Sequence, residues 1–98
     1  MRKHTPGPWK YNGYSIEGDF HGWRVYLPSV FSRSITVEGA SAEEADANAR
    51  LIAAAPDMIN ALHPLAHFSG DFSDPEDQER LLALFAAARL AIAKAEGR

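Results

Sequence analysis

Over roughly the first forty residues aromatic and β-branched side chains, punctuated by Gly, read as three strands; beyond residue 40 apolar positions recur at helical spacing. Gly22 to Leu27 is the clearest strand: Trp23, Val25 and Leu27 alternate with Arg24 and Tyr26, which gives one strand two chemically different faces. An earlier strand runs roughly from Trp9 to Glu17, with a bulge or turn at Asn12-Gly13, and a turn at Glu17-Gly18-Asp19 joins the two. After Pro28 the chain loops, and Ser34 to Glu38 forms a third strand with Ile35 and Val37 on one face. Three short strands in succession predict an antiparallel meander.

At Gly39 the strand formers give way to alanine-rich sequence. Ser41-Ala42-Glu43-Glu44 is a capping box, in which the Ser41 side chain accepts from the Glu44 amide and the Glu44 carboxylate reaches back to the amide of Ser41. Ala45, Asn48, Ala49, Ile52 and Ala55 then follow helical spacing, with Leu51 on the flank. Pro56 has no amide donor and clashes with the preceding turn, so it predicts a kink, or a break with a new start at Pro56-Asp57. Met58, Ile59 and Leu62 form a second apolar face that His63-Pro64 weakens or ends. Pro75 suits a first helical position after a loop at 69–74, with Ser73 or Asp74 as cap and Glu76, Asp77 and Glu79 complementing the helix dipole. Leu81, Leu82, Leu84, Phe85, Ala88, Leu90 and Ile92 carry a broad apolar face to about Lys94. The fold class expected is α+β: a small N-terminal antiparallel β-sheet of about three strands packed on C-terminal alanine-rich helices. One domain spans 1–98, with the meander in 1–39 and the helical part in 40–98.

Composition narrows the function. A chain of 98 residues with 46% apolar content is a single globular unit. Folding at this size buries only about 60–65% of the unfolded chain's surface, so a partner subunit adds stability and a homo-oligomer is expected. The absence of cysteine excludes disulfides, thiolate metal sites and cysteine nucleophiles, and it suits a reducing compartment. The opening MRKHTPGPWK has no apolar signal-peptide region, and Leu51 to Ala55 is far short of the ~20 residues that span a bilayer. No membrane association and a cytoplasmic location are therefore expected. A net charge of −3 argues against wholesale binding of a phosphate backbone. Lys3, Lys10, Arg24 and Arg33 still lie in the first forty residues, whereas acidic residues crowd into 43–46 and 71–79.

Catalytic chemistry finds little footing. His63 and His67 share a helix face at i, i+4, but Pro64 lies between them and no third ligand is in register, so no metal site is expected. There is no Gly-x-Ser-x-Gly elbow and no Gly-rich phosphate loop, and Thr5-Pro6-Gly7-Pro8 reads as a rigid turn. Glu43-Glu44 and Glu76-Asp77 are explained by helix starts. No catalytic residue and no cofactor are assigned. The group with binding chemistry is aromatic and basic, because aromatic planes and guanidinium groups on a sheet can stack a base and pair its phosphates. The candidate ligand-binding residues are Trp23, Arg24, Tyr26, Arg33, Asn48 and Arg50. Three of them have a structural alternative: Trp23 fills the core, Arg50 pairs with Asp46 at i, i+4, and Asn48 satisfies the sheet backbone.

Two stretches carry a resemblance. His4-Thr5-Pro6-Gly7-Pro8-Trp9 and Ala47-Asn48-Ala49-Arg50-Leu51-Ile52-Ala53-Ala54-Ala55-Pro56-Asp57 resemble, in order and separation, a widespread group of small phage and prophage proteins. That group has an HTPGPW opening and an ANARLIAAAPDLLEAL helix, where this chain has Met58-Ile59 for Leu-Leu and Asn60 for Glu. The resemblance implies an accessory gene product expressed inside a bacterium and carries over no catalytic residue, and the chain is not expected to be an enzyme. Small accessory proteins of this kind often counter host defence by binding. The expected ligand is then a nucleotide-like signal, with Arg24 and Arg33 on its phosphates and Tyr26 or a tryptophan stacking the base. The alternatives are a protein-binding inhibitor of a host defence protein, acting through the acidic stretch Asp71 to Glu79, and a small nucleic-acid-associated regulator.

Overall fold

A computed structural model describes residues 4–28, 33–71 and 73–97. Three strands, β1 (Lys10–Glu17), β2 (Phe20–Tyr26) and β3 (Ser34–Val37), form one antiparallel sheet in the order β1-β2-β3. Glu17 pairs with Phe20 across the two-residue turn Gly18-Asp19, where Gly18 has φ 58°. Asn12-Gly13 is a bulge rather than a turn. Tyr11 pairs with Val25 and Tyr14 with Trp23, so two residues of β1 oppose Arg24 alone, with Gly13 at φ 90°. The extra residue reverses the alternation of β1. Tyr11 and Tyr14, three apart, therefore share the face that carries Trp23 and Val25, while Lys10 and Glu17 share the opposite one.

Three helices follow, α1 (Ala42–Ala53), α2 (Ala55–Ala66) and α3 (Pro75–Glu96). Ser41 caps α1 by accepting from the Glu44 amide at 3.1 Å. The return bond of Glu44 goes to the amide of Ala40, also at 3.1 Å, one residue before the expected Ser41 amide. Pro56 produces a break, not a kink: α1 ends at Ala54 and Pro56 sits in the first turn of α2. Pro64 does not stop α2, which runs two residues further to Ala66. It falls near the helix end, where the missing amide costs one bond rather than a ladder. Asp74, not Ser73, caps α3 by accepting from the Glu76 amide at 2.9 Å, and Gly97 closes the helix at φ 77°.

The sheet lies on α1. Val25 and Val37 meet Ala49 and Ala53, all at most 4% exposed, and Trp9, Tyr11, Trp23, Ile35 and Ile52 ring this centre half-buried. Valine 25 is the largest fully buried side chain, because the alanines of α1 let the helix approach the sheet closely. The tryptophans thus edge the core instead of filling it. α3 runs antiparallel to α2 and its C-terminal end returns to α1. Lys94 donates to Asp57 Oδ2 at 2.6 Å and to the Trp9 carbonyl at 3.1 Å, tying α3, α2 and the N-terminal segment into one knot. A Cβ on Gly7 would fall 2.8 Å from Pro56 Cβ, so the segment before β1 needs glycine to lie on the α1–α2 corner. The two stretches that carry the family resemblance therefore meet in space.

Candidate ligand-binding face

Among the described residues no helix covers the sheet face opposite α1. Arg24 and Tyr26 of β2 project there, with Lys10 paired to Tyr26 and Glu17 to Phe20. The Phe20 ring lies against Gly22, whose missing side chain leaves room: a Cβ there would be 3.0 Å from Phe20 Cζ. The Arg24 guanidinium stacks on that ring, 3.5 Å from its centroid. Arg24 Nη1 donates to Glu17 Oε2 at 3.2 Å, and Tyr26 donates its hydroxyl hydrogen to Glu17 Oε1. Glu17 thereby fixes both neighbours, while Arg24 Nε is buried with no partner among the described residues.

Beside this cluster lies an open recess of about 650 Å³, bounded by Pro8, Lys10, Glu17, Tyr26, Leu27 and Arg33, with Pro28 at its end. Its size is that of a small-molecule site. Among the described residues no carboxylate pairs with Lys10 or Arg33, and the charge of Glu17 is already matched by Arg24. The recess therefore presents two unmatched cations beside one fixed aromatic ring and the apolar faces of Pro8 and Leu27.

The six residues singled out from sequence divide between the two sides of the sheet. Arg24, Tyr26 and Arg33 come together on the open face. Trp23 lies on the other side, edge-on to Tyr14 with ring centroids 5.1 Å apart, and packs against the core. Asn48 and Arg50 stand on α1, behind the sheet. Asn48 donates to the Glu38 carbonyl at 2.9 Å, and Arg50 donates to Asp46 Oδ2 at 2.8 Å. Lys10, Glu17 and Phe20 were not singled out. Strict alternation puts Lys10 and Glu17 on opposite faces; only the bulge brings them together.

A second polar cluster lies on the α1 side. Tyr11 donates to Asp46 Oδ1 at 2.5 Å while Arg50 holds the other carboxylate oxygen, its guanidinium 5.6 Å from the Tyr11 ring centroid. Burial first, and then the Asp46 carboxylate, pushes the Tyr11 phenol up to about 12. The Tyr11 and Arg50 bonds hold the Asp46 carboxyl below the usual range. This cluster fastens β1 to α1. The His63 and His67 rings stand 4.5 Å apart, and the described residues include no group of three His, Cys, Asp or Glu placed to hold a metal. In the acidic stretch, Asp71 accepts from the amide and hydroxyl of Ser73, Asp77 accepts from the amide of Asp71 and from Arg80, and Asp74 caps α3. Among the described residues no helix is long and apolar enough to cross a membrane.

No curated protein and no solved structure matches this chain. The family model of Salmonella phage P22 protein Y8K6 matches it over residues 1–98, its whole length, and the chain belongs to that family of phage proteins.

Proposed function

We propose that this phage protein is a non-catalytic accessory factor that counters a host defence by binding, and that the open sheet face takes a nucleotide-like anion. The observation that carries the reading is the recess where, among the described residues, Lys10 and Arg33 lack carboxylate partners beside the fixed Tyr26 ring. Lys10 and Arg33 take the phosphates, and the Tyr26 ring with Pro8 and Leu27 takes the base or sugar. Arg24 shapes the site instead of reaching the ligand, because its guanidinium is spent on Glu17 and Phe20. Trp23, Asn48 and Arg50 have no part in this site. The inhibitor reading draws less support, since Asp71, Asp74 and Asp77 already serve local amides and Arg80.

Titration calorimetry with ATP, ADP, AMP and inorganic pyrophosphate tests the site. Loss of one charge-assisted phosphate contact weakens binding by about 1.5–3 kcal/mol, so Arg33→Ala and Lys10→Ala are each expected to reduce affinity at least tenfold. Glu17→Gln removes the one acidic group and is expected to tighten it. Binding of a phosphate compound that ignores both cation substitutions refutes the site, and no binding by any of the four refutes the proposed ligand class.

A further inference from the structure

The third helix is apolar around most of its circumference. Leu84 and Ala91 face α2, yet Leu82, Phe85, Leu90 and Ile92 are 63, 42, 73 and 50% exposed. α2 meets α3 along the line of Arg80, Leu84, Ala87, Ala91 and Lys94, α1 meets it through Ala93 and Lys94 near its C-terminal end, and Leu90, though largely exposed, borders both contacts. At 100° per residue, Leu82, Phe85, Arg89 and Ile92 fall on the side turned away from both. Their spacing of three, four and three is that of a left-handed helix–helix seam. A helix apolar all round is a buried helix, and within one chain this one is half covered.

The surface area says how much cover is missing. A compact monomer of 10.7 kDa exposes about 5,500 Å², whereas this chain exposes 7038 Å². Its radius of gyration is 16.7 Å, against about 13 Å for a compact chain of this length. The surplus of about 1,500 Å² belongs to the whole chain, its open sheet face included, and an interface on α3 that takes the ~800 Å² each partner contributes to a stable complex accounts for about half of it.

The geometry points to a second copy of this chain as the occupant, with α3 packed antiparallel on the partner's α3 about a two-fold axis that crosses the stripe midway between Phe85 and Arg89. The stripe is self-complementary in that register, as a two-fold interface requires. Leu82 meets the partner's Ile92, and Phe85 meets the partner's Arg89, a cation over an aromatic face, so the one charge in the stripe acquires a partner. The open sheet face lies away from this seam, which leaves a recess on each protomer. The interface does not depend on what the recess binds.

Sedimentation of the full chain from micromolar to near-millimolar concentration is expected to show twice the 10.7 kDa chain mass. Phe85→Glu is expected to weaken dimerisation about a hundredfold with unchanged helical circular dichroism. A cysteine-free chain also permits clean cross-linking. Leu82→Cys combined with Ile92→Cys is expected to form disulfide-linked dimers on mild oxidation, whereas Leu82→Cys alone does not. A wild-type monomer throughout overturns the proposal and leaves the stripe to a different partner. A dimer indifferent to Phe85→Glu, no link in the double-cysteine variant, or a link through Cys at 82 alone overturns the face or its register.

Discussion

Replacing Asp46 with Asn tests how β1 is fastened to α1. Asp46 accepts from Tyr11 at 2.5 Å and from Arg50 at 2.8 Å. A hydrogen bond to an ionised acceptor contributes about 1.5–3 kcal/mol. The Asp46 side chain is 39% exposed, and Asn keeps a neutral oxygen for Tyr11, so solvent screening leaves a loss of about 1 kcal/mol. For a chain of this length that lowers Tm by roughly 4–8 °C. The effect has a pH signature. The folded-state pKa of Asp46 is depressed by the Tyr11 bond first and the Arg50 bond next. Its contribution is therefore present above the unfolded value of about 3.9 and is lost as pH falls through the folded value. Tyr11 has the opposite sign: its folded pKa is raised to about 12, so its contribution is intact below about 10 and is lost as pH rises from there toward 12. Urea denaturation followed by tryptophan fluorescence is expected to show wild type and Asp46→Asn separated at neutral pH and converging in acid. The Tyr11 ring carbon signal in NMR is expected to titrate lower in the variant yet still above 10, because burial is the larger cause of its shift. Equal stability at neutral pH, or a gap that persists undiminished in strong acid, refutes the reasoning.

Two further substitutions probe the junctions between elements. Gly39→Ala places a Cβ 2.5 Å from the Ala45 amide nitrogen and 2.9 Å from Ala45 Cα, against backbone that cannot rotate away. It is expected to cost about 1–3 kcal/mol, read as a lower urea midpoint; an unchanged midpoint contradicts the close approach of the β3–α1 connection. Asp74→Ala removes the cap of α3 and is expected to cost about 1 kcal/mol, with Ser73→Ala milder in the same thermal melt; the reverse order contradicts the cap assignment.

Much of the architecture was legible because local signals agree with one another. Alternation in β2, the Ser41 cap, the break at Pro56 and the Pro75 start each act over a few residues, and the structure follows them. What sequence concealed was longer in range or hinged on a single residue. The Asn12-Gly13 bulge shifts the parity of half a strand, so the partners of Arg24 and Tyr26, namely Glu17 and Lys10, were invisible to a period-two reading. Trp23 and Arg24 are adjacent in sequence and separated by the sheet. The Glu44 carboxylate chose the Ala40 amide because the backbone before the cap brings that donor within 3.1 Å, a matter of local path that composition does not encode. In α3, a broad apolar face read from sequence is an apolar circumference in the structure, and the difference appears only once α1 and α2 are in place.

The most direct test of the binding account is native mass spectrometry of the protein purified from a bacterial lysate, followed by denaturation to release and identify whatever it carries. The account predicts a phosphate-bearing small molecule at fixed stoichiometry, retained by wild type and lost from the Lys10→Ala, Arg33→Ala double variant. A chain that emerges empty from cells in which the host defence is active, or one whose cargo survives the double substitution, would contradict it.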